Sequence, residues 1–484
     1  MWGLAMNWMD SALRSNGPIY LRIVNSIERS MNTGELVPGH RLPSQRALAK
    51  QLGIDLTTVT RAFDEARRRG LIEARGPQGS FIAPPKAAFG QPVDLSMNVP
   101  PVPDALALND ALRRGAAAVL ARSNAPNLMT YHLAGGSPTD RHAATSWLQP
   151  MLGDIADTSL VVAEGAQSAL ASILISQTQE GEVILCDHLV YPGLLQAARS
   201  LGRRLLPVDG DAEGMCPEAL ERASRQSGAR VVYLNPSCNN PTALTIPWQR
   251  RVELARVLQR LELLAIEDDP YWHHAAEKPT PIAALAPTHV YYVSTLSKAI
   301  SPGLRTAFVR CPSEQHAEAL ATALRSICLM GHPLVMALVS QLLLDGSATA
   351  LLNQVLDEAR ERAALATHLL VPSLKVRASG LHAWCTLPEQ NRQNRGQSGV
   401  SYRNPTLTPV LPLPSPWTEA SFARAAQLQG LAISPSSAFI PDGAQRSRGF
   451  RLSLGQASNR RQLQRALRRI NQLVDATSAF AGAA

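Results

Sequence analysis

Ile19, Ile23, Ile27 and Met31 recur at helical spacing and predict a first helix over 18–32, with Gly34 beyond its end. After the turn VPGHRLPS, Ser44 is placed to cap a second helix over about 44–52, which Gly53 stops. A third helix is expected from about Thr57 to Arg69, closed by Gly70. Two short strand-like pieces, LIEA and SFIA, follow, joined by the tight turn RGPQG. Three short helices and a hairpin describe a winged helix-turn-helix over residues 1–83.

From 84 to 103 the chain is rich in proline and has no helical period, which predicts an extended linker. Beyond it, helical stretches alternate with brief apolar runs: SLVVAE, EVILCD, ARVVYLN, LLAIEDD, VYYVSTLS and TAFVRC. Strands separated by helices imply an α/β domain over 104–484 with a mainly parallel sheet. One stretch, 388–417, is dense in Pro, Asn, Gln, Arg and Ser and reads as a mobile insertion.

Composition narrows the possibilities. A chain of 484 residues is too long for one ordinary domain. No apolar run of membrane-spanning length and no secretory leader are read, so a cytoplasmic protein without a membrane partner is expected. The six cysteines are scattered with no CxxC pair, which suits small apolar fillers in a reducing compartment and no metal site. The net charge is +9, carried mostly by arginine, and residues 1–86 hold 12 basic against 7 acidic side chains, a local excess of 12 − 7 = +5. A basic terminal domain suits an anionic partner. Lysine occurs only at 50, 86, 278, 298 and 375, which restricts any lysine-based chemistry to few candidates.

The second helix of a helix-turn-helix pair enters the major groove and presents its first residues to base edges. Here that helix opens with Thr57, Thr58 and Thr60, then Arg61, a set of hydroxyls and a guanidinium suited to phosphates and base edges. Arg41, Ser44 and Arg46 lie before and in the first helix of the pair, placed to hold the DNA backbone. Arg75 and the wing tip at Gly79 are placed to approach the minor groove. Arg67, Arg68 and Arg69 equally suit a solvated helix end. The run from Pro38 to Ala83, with PG-RLPS-R-LA, TV-RA and RGPQGSF in order, resembles the GntR family of bacterial regulators. That resemblance implies double-stranded operator DNA as a partner.

The second domain carries parts that a pyridoxal-phosphate (PLP) site needs: a lysine, an acid for the pyridine nitrogen, phosphate donors and a stacking ring. STLSKAISPGLR sets Lys298 just after a strand, with Thr295, Ser297 and Arg305 around it. IEDDPYW places Asp268 and Tyr271 at a strand's end, where ligands bind in open α/β sheets. AEGAQSAL puts Ala166 and Gln167 at a helix start, where backbone N–H groups cradle phosphate. NPSCNNPT presents Asn240 in a turn. Together these segments resemble fold-type I aminotransferases over approximately residues 94–484. By that resemblance Lys298 would be the Schiff-base lysine, Asp268 the partner of the pyridine nitrogen, and Asn240 and Tyr271 donors to the ring hydroxyl. Tyr191 would stack on the ring, and Ala166, Gln167, Thr295, Ser297 and Arg305 would hold the phosphate. Tyr131 would reach the neighbouring subunit's phosphate site, which implies a homodimer, and Arg451 would pair with a ligand carboxylate. Ala243 stands where the family usually has glycine.

The two halves together resemble the MocR subfamily, which implies a PLP-dependent transcription regulator that senses a small amine or amino acid by aldimine exchange at Lys298. The residues that transamination needs, Lys298, Asp268 and Tyr271, are all present. A working aminotransferase bearing a DNA-binding domain, and a regulator that senses PLP itself, are the alternatives.

Overall fold

A computed structural model describes residues 17–481 apart from 33–34, 37–38, 70, 75, 77–78, 83–92, 103, 133–134, 388–416 and 445–446. The chain divides into two compact units near residue 91.

In the first unit, helices Ile19–Asn32, Gln45–Leu52 and Leu56–Arg68 precede an antiparallel hairpin of Ile72–Ala74 with Ser80–Ile82. Their apolar faces meet in a core of Ile23, Ile27, Leu48, Val59, Phe63 and Ile82. Ser44 caps the second helix by accepting from the Ala47 N–H, and Gly53 ends it in the left-handed conformation at φ 63°. The third helix starts at Leu56, one residue earlier than expected, because Asp55 caps it by accepting from the Thr57 N–H. Arg67 pairs with Asp64 at 2.6 Å, Arg68 and Arg69 share Glu65, and Arg69 also reaches Glu28 of the first helix at 3.8 Å, so these three cations are largely engaged within the fold.

The second unit is built on a seven-stranded sheet. In spatial order its strands are Leu160–Ala163, Ala307–Arg310, Val290–Thr295, Leu264–Asp268, Val231–Leu234, Val183–Cys186 and Arg204–Pro207. Only Ala307–Arg310 runs antiparallel to its neighbours. Helices are packed through two apolar layers, and the central strands read as continuous apolar runs because both faces are buried. All six expected runs are strands of this sheet; the edge strand Arg204–Pro207 was not expected.

Also unexpected is a second, antiparallel sheet in the order Lys375–Ser379, His382–Thr386, Gly449–Ser453, Ser434–Pro435. The insertion 388–417 lies outside the described residues except for Trp417, whose ring meets Phe422 edge-on at 5.5 Å. Among the described residues no single helix is long and apolar enough to cross a membrane. All six cysteines are free thiols; four are buried and Cys216 and Cys328 are partly exposed.

The expected linker 84–103 needs correction over its described part. Val93–Asp94 pairs in parallel with Leu431–Ala432, Leu95 is fully buried, and the Ser453 N–H donates to the Leu95 carbonyl at 2.7 Å. Proline richness masked a segment whose residues 93, 95 and 98 are buried in the second unit. Past Asn98 the backbone lies against Gly455, where an added Cβ would fall 1.8 Å from the Val99 carbonyl oxygen. Gly455→Ala should therefore destabilise the second unit by about 1–3 kcal/mol through overpacking against backbone. A lowered thermal midpoint for that unit, with the first unit's transition unmoved, is the expected calorimetric result.

Candidate functional site

The residues expected to act together converge at the carboxyl ends of the parallel strands. Asp268 is the last residue of Leu264–Asp268, Lys298 follows Val290–Thr295, and Gly165–Ala166 follow Leu160–Ala163. Tyr191 and Asn235–Asn240 follow the strands ending at Cys186 and Leu234. Arg451 comes from the second sheet, in register with Trp384 and Ser434.

Asp268 is 6% exposed. One carboxylate oxygen accepts from the Tyr233 hydroxyl at 2.7 Å, while Oδ1 is buried with no partner among the described residues. Burial pushes this acid up to about 6 despite the Tyr233 hydrogen bond. Its backbone carbonyl accepts from Asn235 at 2.5 Å, and Asn235 Oδ1 accepts the Asn240 N–H at 2.6 Å. Asn240 Oδ1 in turn accepts from Arg451 Nη1 at 2.5 Å. A single hydrogen-bonded chain thus ties the acid to the arginine.

Lys298 donates to the backbone carbonyl of Asn98. Desolvation first and then the Arg451 charge lower the amine to about 8, opposed by Asp268 and helped least by Arg305. Asn98 continues the network: its side-chain amide donates to the Tyr271 hydroxyl and to His382 Nδ1, each at 2.9 Å. His382 Nε2 lies 2.9 Å from the Asn239 carbonyl, so the proton sits on Nε2 and Nδ1 accepts. Burial holds this imidazole neutral, down to about 3.

Arg451 is 6% exposed and has no carboxylate partner among the described residues. Nη2 donates to the Ser96 carbonyl and, at 3.4 Å, to Ser434 Oγ; the guanidinium lies 5.0 Å over the Phe439 ring. Nε is buried and has no partner among the described residues.

At the opposite end Gly165, at φ 98°, heads the helix Ala166–Gln177, so the Ala166 and Gln167 N–H groups have no helical acceptor. A Cβ on Gly165 would fall 2.9 Å from Arg305 Nη2, so glycine lets the guanidinium lie against that helix start. Thr295 Oγ1 donates to Ser297 Oγ at 3.1 Å and caps the short turn bearing Lys298. Gln167 Nε2 donates to the Gly193 carbonyl at 2.9 Å, fixing the turn that presents the Tyr191 ring. These hydroxyl, backbone N–H and guanidinium donors are of the kind that can hold an anion. Tyr131 is 81% exposed and stands apart from the buried cluster. Ala243 carries the turn after Asn240 at φ 55°, the conformation that glycine adopts without cost.

Sequence reasoning missed Tyr233, Asn98 and His382. Tyr233 looked like one more apolar strand residue, and Asn98 fell in the supposed linker. Of the five lysines, 50, 278 and 375 are exposed, 86 lies outside the described residues, and 298 is mostly buried.

In the first unit Thr57 Oγ1 donates to Asp55 at 2.7 Å and Thr60 Oγ1 to Gln45 at 2.9 Å. Those two hydroxyl protons are therefore engaged in the fold, leaving Thr58 and Arg61 as the donors at the helix start. Arg61 stacks 4.1 Å over the Tyr20 ring. Arg41, Ser44 and Arg46 are exposed. An added Cβ on Gly79, at φ 101°, would meet the Arg41 guanidinium at 3.5 Å, so the structure brings those two together. Arg75 lies outside the described residues.

Residues 91–470 match the family described as aminotransferase class I and II, and residues 19–82 match the bacterial regulatory proteins of the gntR family. A Bacillus subtilis protein named uncharacterized HTH-type transcriptional regulator YdeF is 28% identical over 392 residues, 79% of this chain and 84% of that protein. The vitamin B6 salvage pathway transcriptional repressor PtsJ of Salmonella typhimurium is 30% identical over 305 residues, 61% of this chain and 68% of that one. Among solved structures, the α-aminoadipate aminotransferase LysN of Thermus thermophilus aligns with a TM-score of 0.67 at 22% identity, covering 81% of this chain and 94% of that one.

The depressed amine makes a direct prediction. Only the neutral form attacks a carbonyl, so trapping of an aldehyde probe at Lys298 by borohydride should rise with pH to a midpoint near 8, not the ordinary 10.5. Peptide mapping of the trapped adduct across pH checks it.

Proposed function

The chain belongs to the aminotransferase class I and II family and carries a gntR-family domain, the architecture of MocR-like regulators, and from this we propose that it is a PLP-dependent transcription regulator responding to a small amine or amino acid. The observation that carries the reading is Asp268 Oδ1, a buried carboxylate oxygen without a partner among the described residues, at the site where Lys298 presents a depressed amine. An orphaned acceptor of this kind fits the N–H of a protonated pyridine, and the cradle of Ala166, Gln167, Thr295, Ser297 and Arg305 fits a phosphate. When bound, PLP supplies an electrophilic carbon and an electron-withdrawing ring.

The side chains divide the remaining work. Lys298 would hold the cofactor, Asp268 would keep the ring nitrogen's proton with Tyr233 fixing the acid's orientation, and Tyr191 would cover a ring face. Tyr271 and Asn240 would orient the ring hydroxyl, while Arg451 would take a ligand carboxylate. Tyr131, exposed in one protomer, supports a homodimer in which it completes the partner's phosphate site. DNA would be gripped by Arg41, Ser44 and Arg46, read by Thr58 and Arg61, and approached by the wing at Gly79 and Arg75.

Regulation is favoured over turnover because a DNA reader contributes nothing to transamination. A ligand shifts DNA affinity only if it binds two arrangements of the protein unequally. The similarity to a vitamin B6 salvage repressor favours, as a second reading, a response to PLP itself. DNA binding that changes between apo and loaded protein with no further effect of amines would select that reading.

Two outcomes are expected from fluorescence anisotropy on promoter DNA. Lys298→Ala should abolish the response to amines while DNA is still bound; an unchanged response sinks the sensing role. Arg61→Ala should weaken DNA binding about tenfold or more, the scale of one lost base-edge contact.

A further inference from the structure

Two carbonyls of one tripeptide hold the two groups that an amino acid would approach. Ser96 O accepts from Arg451 Nη2, and Asn98 O accepts from Lys298 Nζ. The tripeptide is a turn shaped by Asp94, whose Oδ1 accepts from both the Ser96 N–H and its hydroxyl at 2.8 and 2.6 Å. Met97 between them is 61% exposed. Just upstream, ten residues separate Val93 from Ile82, the last residue of the wing hairpin.

Arg451 is satisfied unevenly. Nη1 is held by Asn240, Nη2 by the Ser96 carbonyl, and Nε by nothing among the described residues. Nε and Nη2 form one edge of the guanidinium, the edge whose two parallel N–H bonds match a carboxylate. A carbonyl offers that edge one neutral acceptor; a carboxylate offers two charged ones. In a site this dry the carboxylate wins, and Ser96 O must leave.

We propose that Ser96–Asn98 is a backbone latch that stands in for the ligand's carboxylate, so that the signalling ligands are amines carrying a carboxylate and act by displacing it. This deepens the site reading above and rests on it. In the loaded protein Lys298 would be committed to the cofactor, so the Arg451–Ser96 contact is the hold left to displace: a plain amine leaves it in place, whereas an amino acid removes it. The released turn is continuous with the chain that leads to the DNA-binding unit, which gives the exchange a covalent route outward.

The test is hydrogen exchange of the peptide 93–101 in the full-length, PLP-loaded protein, with promoter binding read on the same samples. An equimolar mixture of the proteinogenic amino acids is compared with a mixture of their decarboxylated amines. The amino acids should speed exchange in this peptide about tenfold and shift the DNA dissociation constant in step, the scale of one charge-assisted hydrogen bond lost. The amines should do neither. Without ligand, Arg451→Gln should speed the same exchange. Ser434→Ala, which deletes only the hydroxyl that also donates to Ser96 O at 3.1 Å, should do so more weakly and guards against misfolding of the first variant. The proposal is overturned if amines loosen the peptide as much as amino acids, if neither mixture does, or if both variants exchange like the parent. Failure of the cofactor reading is seen separately, as the absence of visible absorbance, and leaves the two ligand-free variants to judge the latch.

Discussion

Arg451 carries a positive charge into the interior with neutral hydrogen-bond partners, an asparagine oxygen, a backbone carbonyl and a serine hydroxyl, beside the face of Phe439, while the Asp94 carboxylate acts on it without an ion pair among the described residues. A buried cation without a counter-ion costs more than hydrogen bonds to neutral groups return. The same pattern repeats at Asp268, where burial lifts the acid and one oxygen finds no donor among the described residues, and at Lys298, where burial lowers the amine. None of the three is closed off by an ion pair among the described residues, so each can take a ligand group of complementary charge. The surrounding network of Asn98, Asn235, Asn240, Tyr233 and His382 fixes these groups without neutralising them.

Much of this was legible in the sequence, for a physical reason. Fully buried parallel strands must be apolar on both faces, so VVYL, LAIED and VYYVST announce themselves, and polar residues at their ends stand out. Lys298 was found among five lysines, and Asp268 by its place after an apolar run. The second sheet was not legible, because its strands are short, mix polar with apolar residues and are split by the stretch 388–416. Asn98 was lost to the opposite error: its proline-rich neighbourhood looked like a spacer, while its burial depends on contacts to residues 271 and 382 far along the chain.

The DNA-binding unit was legible nearly to the residue because its caps are local. Ser44 and Gly53 bound a helix by hydrogen bonds within four residues of themselves. The same locality explains the one adjustment in its reading helix: Asp55 claims the Thr57 hydroxyl and Gln45 the Thr60 hydroxyl, so two of three threonines serve the fold. Which side chain is spare for a partner depends on such internal claims, and motif spacing does not reveal them.

The distribution of basic residues has a chemical consequence. Lys50, Lys278 and Lys375 are the exposed lysines among the described residues, and arginine supplies most of the remaining positive charge. A protonated guanidinium does not condense with an aldehyde, whereas an amine does. A surface built this way offers a reactive carbonyl compound few decoys, so selectivity for the interior amine owes something to composition as well as to pocket shape.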